Sequence, residues 1–211
     1  MTMSAGAPSG RPRAFLEEPL SALIDDLARE GRVPGAGSVA AALLGMASAV
    51  VAMAARASRN TWREAGGAVA QAEALRRRAL PLADADARAL ADAIALLQPV
   101  ETAPETEPEA SGERDFELGL ALANAADVPL AIVQVAADVA ALAHTVAENG
   151  SVEVRPDAVG AAVLADGAGR AAAHLVEINL STTEDDFRVL AARSLAAAAS
   201  SWAEQALALD S

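Results

Sequence analysis

Asp84 and Asp86 stand two residues apart in the run Leu82-Ala83-Asp84-Ala85-Asp86, inside a stretch that is otherwise mostly alanine, leucine and arginine. A carboxylate so placed either stabilises a cation or takes a proton, or else lies on a solvated helix face. On a helix, residues two apart point in different directions, so the pair cannot face one ligand together. Asp157 follows Pro156 at an expected helix start, where its charge complements the helix dipole, a sufficient structural reason for it. Asp166 lies among small and apolar residues in AVGAAVLADGAGRAAAHLV, and Arg170, one turn on, is its expected partner. The other feature that could do chemistry is Gly31-Arg32-Val33-Pro34-Gly35-Ala36-Gly37-Ser38. Its glycines and proline cannot continue a helix, and Ser38 suits the N-cap of the next one. Backbone N–H groups at such a helix end bind carboxylate or phosphate. A short glycine-rich connection between helices is equally ordinary, and without Gly-Lys-Ser/Thr it is no P-loop.

The remaining inventory excludes more than it offers. There is no cysteine, which removes disulfide scaffolds, thiol catalysis and cysteine-ligated zinc. His144 and His174 are the two histidines, too few for most histidine metal sites, and each sits in alanine- and leucine-rich sequence that favours an interior or rim role. All 16 bases are arginine, so lysine chemistry is absent. The net charge of −13 argues against a nucleic-acid binder, and 2% aromatic residues are too few for base-stacking platforms. Arg76, Arg77 and Arg78 spread around a helix and form no single clamp. No metal and no cofactor is expected.

The elements that must position these residues are helices. Strand-like alternation is nearly absent, and alanine, leucine and valine dominate between charged positions. The pattern predicts an all-α, single-domain bundle of about six helices, over residues 19–30, 39–59, 67–97, 114–147, 156–180 and from a capping box at Ser181-Thr182-Thr183-Glu184 to 209. A kink or break is expected at Pro129. Residues 1–13 are predicted to be disordered, residues 14–211 to form the helical domain, and the Pro/Glu-rich stretch 99–113 to be a mobile acidic loop. Residues 39–55 form the longest apolar run, read as a buried helix and not a membrane span. Gly37, Ala41, Gly45 and Ala49 recur every four residues, a flat stripe for close helix packing. The N-terminus has no apolar core of a secretory signal, so a cytoplasmic location is expected.

Taken in order, several segments resemble the formiminotransferase-cyclodeaminase C-terminal domain family. They are Leu20 to Ala28 with Val33-Pro34-Gly35-Ala36-Gly37-Ser38-Val39-Ala40-Ala41, then Leu82 to Asp86, Val128-Pro129-Leu130, Gly150 with Asp157 seven residues later, and Ile178-Asn179-Leu180. The resemblance runs over about residues 15 to 208. Ala36 replaces a family glycine, Ser151 an asparagine after Gly150, and Leu175 another asparagine. The resemblance implies an all-α homodimer with a folate cleft near the subunit interface. It implies Asp84, Asp86 and Asp157 as catalytic or supporting carboxylates for a cationic amidine-type carbon. Pro34, Gly35, Ala36, Gly37, Ser38, Arg59, Gly150 and Asn179 would bind the substrate, with the anionic glutamate tail of folate at the 34–38 helix end near Arg56 or Arg59. The expected reaction is hydrolysis of 5,10-methenyltetrahydrofolate to 10-formyltetrahydrofolate. Formiminotetrahydrofolate cyclodeamination, or non-catalytic binding of a small molecule or partner protein by a helical dimer, is the alternative.

Overall fold

A computed structural model describes residues 19–29, 34–97, 116–117, 119–123, 125–181 and 186–209. The expected disordered N-terminus and acidic loop lie outside these residues, as do Gly31 to Val33 and Thr182 to Glu184 of the proposed capping box. Among the described residues there are six α-helices and no strand: α1 (Leu20–Leu27), α2 (Ala36–Ala57), α3 (Ala65–Leu97), α4 (Asp127–Asn149), α5 (Arg155–Asn179) and α6 (Phe187–Ala208). Short 3₁₀ turns at Ser58–Asn60 and Val152–Val154 close the α2–α3 and α4–α5 connections.

Helix α2 and helix α4 form the centre. Leu44, Val51, Ile132, Val133, Val139 and Val146 are fully buried between them and α5, filled in by alanines such as Ala47, Ala140 and Ala162. Small side chains let helix axes approach closely, which is how so few large residues make one continuous core. The apolar length of α2 would suffice to cross a membrane, but 67% of its apolar window is buried in the bundle, as the sequence predicts for a core helix. The glycine stripe is used where α2 meets α3. A Cβ on Gly45 would lie 2.3 Å from a methyl of Leu80. Ala49, by contrast, is exposed, so the stripe ends before it.

The break expected at Pro129 falls three residues earlier. Ala126 is a turn between helical residues 119–123 and α4, and Pro129 occupies the first turn of α4, where its missing N–H leaves no gap in the ladder. Helix α6 is capped by Asp186, whose carboxylate accepts from the Arg188 backbone N–H at 2.8 Å. The expected cap at Ser181 is therefore wrong: the chain re-enters helix five residues later. Asp166 is also differently partnered. It accepts from Ser200 Oγ at 2.5 Å, across to α6, and no bond to Arg170 is seen.

Candidate active site

The first turn of α2 decides the site. Gly35 is extended, with φ −109° and ψ −169°, and the helix begins at Ala36. Ser38 is thus inside the helix, fully buried, and is not the N-cap. Its hydroxyl donates to Asp86 Oδ2 at 2.9 Å. An ideal Cβ on Gly37 would lie 2.1 Å from Asp86 Oδ1 and 2.5 Å from its Cγ, so only glycine admits the carboxylate here. Ser38 leaves the N-cap because a tertiary partner, 48 residues on, outweighs the local capping preference.

Asp86, 8% exposed, therefore lies against the positive end of α2. Burial pushes its carboxyl above the usual carboxylate range, while the Ser38 hydroxyl and backbone N–H hold it back. The sequence reading reserved these amides for the negative tail of a ligand. The structure gives that position to the chain's own acid.

Beside Asp86 lies a cleft of about 90 Å³ between the start of α2, the second half of α3, the start of α4 and the last turn of α5. Gly35, Ala36 and Gly37 form its floor, Leu90, Pro129 and Leu175 are among its apolar walls, and among the described residues Asn179 is the one polar side chain lining it besides Asp86. One carboxylate and one amide in apolar surroundings suit a compact planar cation: the charge interaction strengthens as water leaves.

The structure does not gather every residue the sequence singled out. Asp84 is half-buried and does not line the cleft, as expected for a residue two positions from Asp86. Pro34 flanks the cleft without lining it. Arg59, Gly150 and Asp157 belong to the opposite end of the bundle, in or beside the 3₁₀ turns. Asp157 is exposed in the first turn of α5. Gly150 has a packing reason. A Cβ there would stand 2.5 Å from the Val146 carbonyl oxygen and 2.7 Å from Ser58 Oγ, which accepts from the Ser151 N–H at 2.8 Å. Gly150→Ala is expected to destabilise the fold by about 2 kcal/mol, read by urea denaturation.

Sequence reasoning missed the apolar walls. Leu90 and Leu122 carry no signal that separates a cleft from a core, and Leu175 is marked only by standing where the resembled family has an asparagine. Neither histidine enters the cleft: the His144 ring lies 5.2 Å from that of Trp202, and His174 is exposed. A wider groove of about 450 Å³ runs past Trp202 and the Arg78–Asp138 ion pair, lined by none of the predicted residues. Among the described residues, no three His, Asp or Glu side chains are grouped to hold a metal ion.

A family model described as formiminotransferase-cyclodeaminase matches residues 19–198. The fold is similar to the crystal structure of a formiminotetrahydrofolate cyclodeaminase from Thermotoga maritima, with a TM-score of 0.77 and 22% identity, over 92% of this chain and 96% of that one. No curated protein matches the chain by sequence.

Proposed function

The chain belongs to the formiminotransferase-cyclodeaminase family, and from that premise we propose that it hydrolyses 5,10-methenyltetrahydrofolate to 10-formyltetrahydrofolate. The observation that carries this reading is Asp86, a buried carboxylate held by Ser38 at the edge of an apolar cleft. The substrate is a cation whose charge centres on the carbon bridging two ring nitrogens. Asp86 stabilises that cation and accepts a proton from the attacking water. A C–O bond forms at the bridging carbon, the proton taken by Asp86 passes to N5 as the C–N5 bond breaks and N5 keeps the electron pair, and the remaining hydroxyl proton leaves to solvent as the C=O of the N10-formyl group forms. Asn179, which lines the same cleft, orients the ligand in this reading.

Cyclodeamination of formiminotetrahydrofolate is the second reading, favoured by the name of the similar solved structure. Offering both folates separates them: the first reaction consumes methenyltetrahydrofolate, the second releases ammonia from the formimino compound. Ammonia release without consumption of methenyltetrahydrofolate would reverse the order of the two.

The ionised form of Asp86 is the active one in this reading. The rate should therefore fall on the acid side with an apparent pKa above the usual aspartate range. Ser38→Ala removes a bond that favours the carboxylate, so the acid limb of kcat/KM should move to higher pH. An unmoved limb would detach Asp86 from the rate.

The cleft is far smaller than the roughly 300 Å³ or more that a whole small-molecule ligand occupies. It takes the reacting end alone. The rest is supplied by a second copy in this reading. Val39, Met46 and Met53, 39%, 45% and 42% exposed, repeat every two turns along one outer face of α2. A twofold axis passing near Met46, the middle of the helix, sets the start of one α2 beside the end of the other. That brings Arg59, Gly150 and Asp157 of the other copy's turn region toward the cleft, and Arg59 toward the anionic tail. Arg56 is already paired with Glu73 at 2.5 Å. Met46→Glu should yield a monomer by light scattering and lose turnover with it. A fully active monomer would contradict the shared cleft.

A further inference from the structure

Leu122, Ala125 and Pro129 form the wall of the cleft where the chain enters α4. Ala126 is a turn, and the helix restarts at Asp127. What reaches this joint from outside is Arg188, in the first turn of α6. Its NH1 donates to the Ala123 carbonyl oxygen at 2.7 Å and to Asp127 Oδ1 at 2.8 Å. Its Nε and NH2 hold Asp186, the cap of α6, with NH2 to Oδ2 at 2.7 Å. The guanidinium side chain is only 17% exposed, and it keeps the Asp186 carboxyl below the usual range. Three acceptor groups, in the 119–123 segment, at the start of α4 and at the cap of α6, are met by one planar fork.

We propose that Arg188 is a positioning residue, latching the start of α6 to the 122–129 wall and so fixing the cleft in which Asp86 and Asn179 meet the substrate. The latch rests on the folate reading only for the identity of the ligand. It touches no cleft-lining polar group itself. Leu122, Ala125 and Pro129 line the cleft and flank its two wall contacts, Ala123 and Asp127. A lysine keeps the charge, but its compact ammonium cannot reproduce the planar fork that grips Asp186 while reaching Ala123 and Asp127. Asp127, 65% exposed, contributes the weakest arm.

The test titrates 5-formyltetrahydrofolate into the full chain by calorimetry, for the unmodified protein, Arg188→Lys and Asp127→Asn, with amide hydrogen exchange on each. Arg188→Lys should weaken binding about tenfold, the equivalent of one charge-assisted bond. Asp127→Asn should weaken it about two- to threefold. In both, amides of residues 119–129 should exchange faster while those of α2 keep their protection, a pattern that general loss of stability would not give. Unchanged affinity in Arg188→Lys, or loss of protection spread equally over α2, overturns the latch. If Arg188→Lys does not fold, Asp127→Asn decides: affinity and exchange both equal to the unmodified protein overturn it. A flat titration for all three proteins contradicts the folate reading instead, while faster exchange at 119–129 would still mark the latch.

Discussion

Gly37→Ala should lose turnover and about 2 kcal/mol of folding free energy, although alanine is the better helix former by about 1 kcal/mol. The new methyl would stand 2.1 Å from Asp86 Oδ1, with the carboxyl carbon at 2.5 Å, so the carboxylate must leave the end of α2. Asp has a short side chain and no alternative route to Ser38, so the bond at 2.9 Å is lost with it. The sign is expected to reverse in company with Asp86→Ala. That change removes all three atoms nearest the new methyl, and the double variant should be more stable than Asp86→Ala alone by the alanine preference. Equal effects of Gly37→Ala in both backgrounds would mean that the glycine serves something other than the carboxylate.

Asp86→Asn is the second large effect. It keeps the shape and an acceptor for Ser38 but removes the charge and the base. We expect kcat/KM to fall about a hundredfold or more, within the usual range for a general base combined with charge stabilisation. Stability should move the other way. A carboxyl whose folded pKa is raised binds more protons folded than unfolded between its usual and raised values, so stability falls as pH rises through that window. The loss persists above it. Asp86→Asn has no such term and should be at least as stable as the unmodified protein at neutral pH, with a flatter dependence on pH across the window. Denaturation curves from acid to neutral pH check this. A large loss of stability would make Asp86 a structural residue.

The helices were legible because their signals are local. The Pro/Gly stretch before Ala36, the apolar period of α2, Pro156 near the start of α5 and Gly150 after α4 each depend on neighbours in the chain. What the sequence hides is long-range. Ser38 reads as a cap until Asp86 enters from α3, Asp166 reads as a partner of Arg170 until Ser200 enters from α6, and Asp186 caps α6 in place of the nearer Ser181. The choice between Asp84 and Asp86 depends on how α3 is rotated against α2, which periodicity in an alanine-rich helix does not set. Topology also sorted the candidates. In a bundle of antiparallel neighbours, the start of α2, the start of α4 and the end of α5 share one end, which collects Gly35, Pro129 and Asn179. Residues between α4 and α5, such as Gly150, and those after α2, such as Arg59, fall at the other. Apolar walls such as Leu90 and Leu122 look like any core residue until the space beside them is seen.

The decisive measurement is the absorbance of 5,10-methenyltetrahydrofolate at neutral pH, followed with the unmodified protein, with Asp86→Asn and in buffer alone. Fast decay with the first, and decay near the buffer rate with the second, is the predicted result. Identical decay in all three would leave the acid at the head of α2 without a reaction.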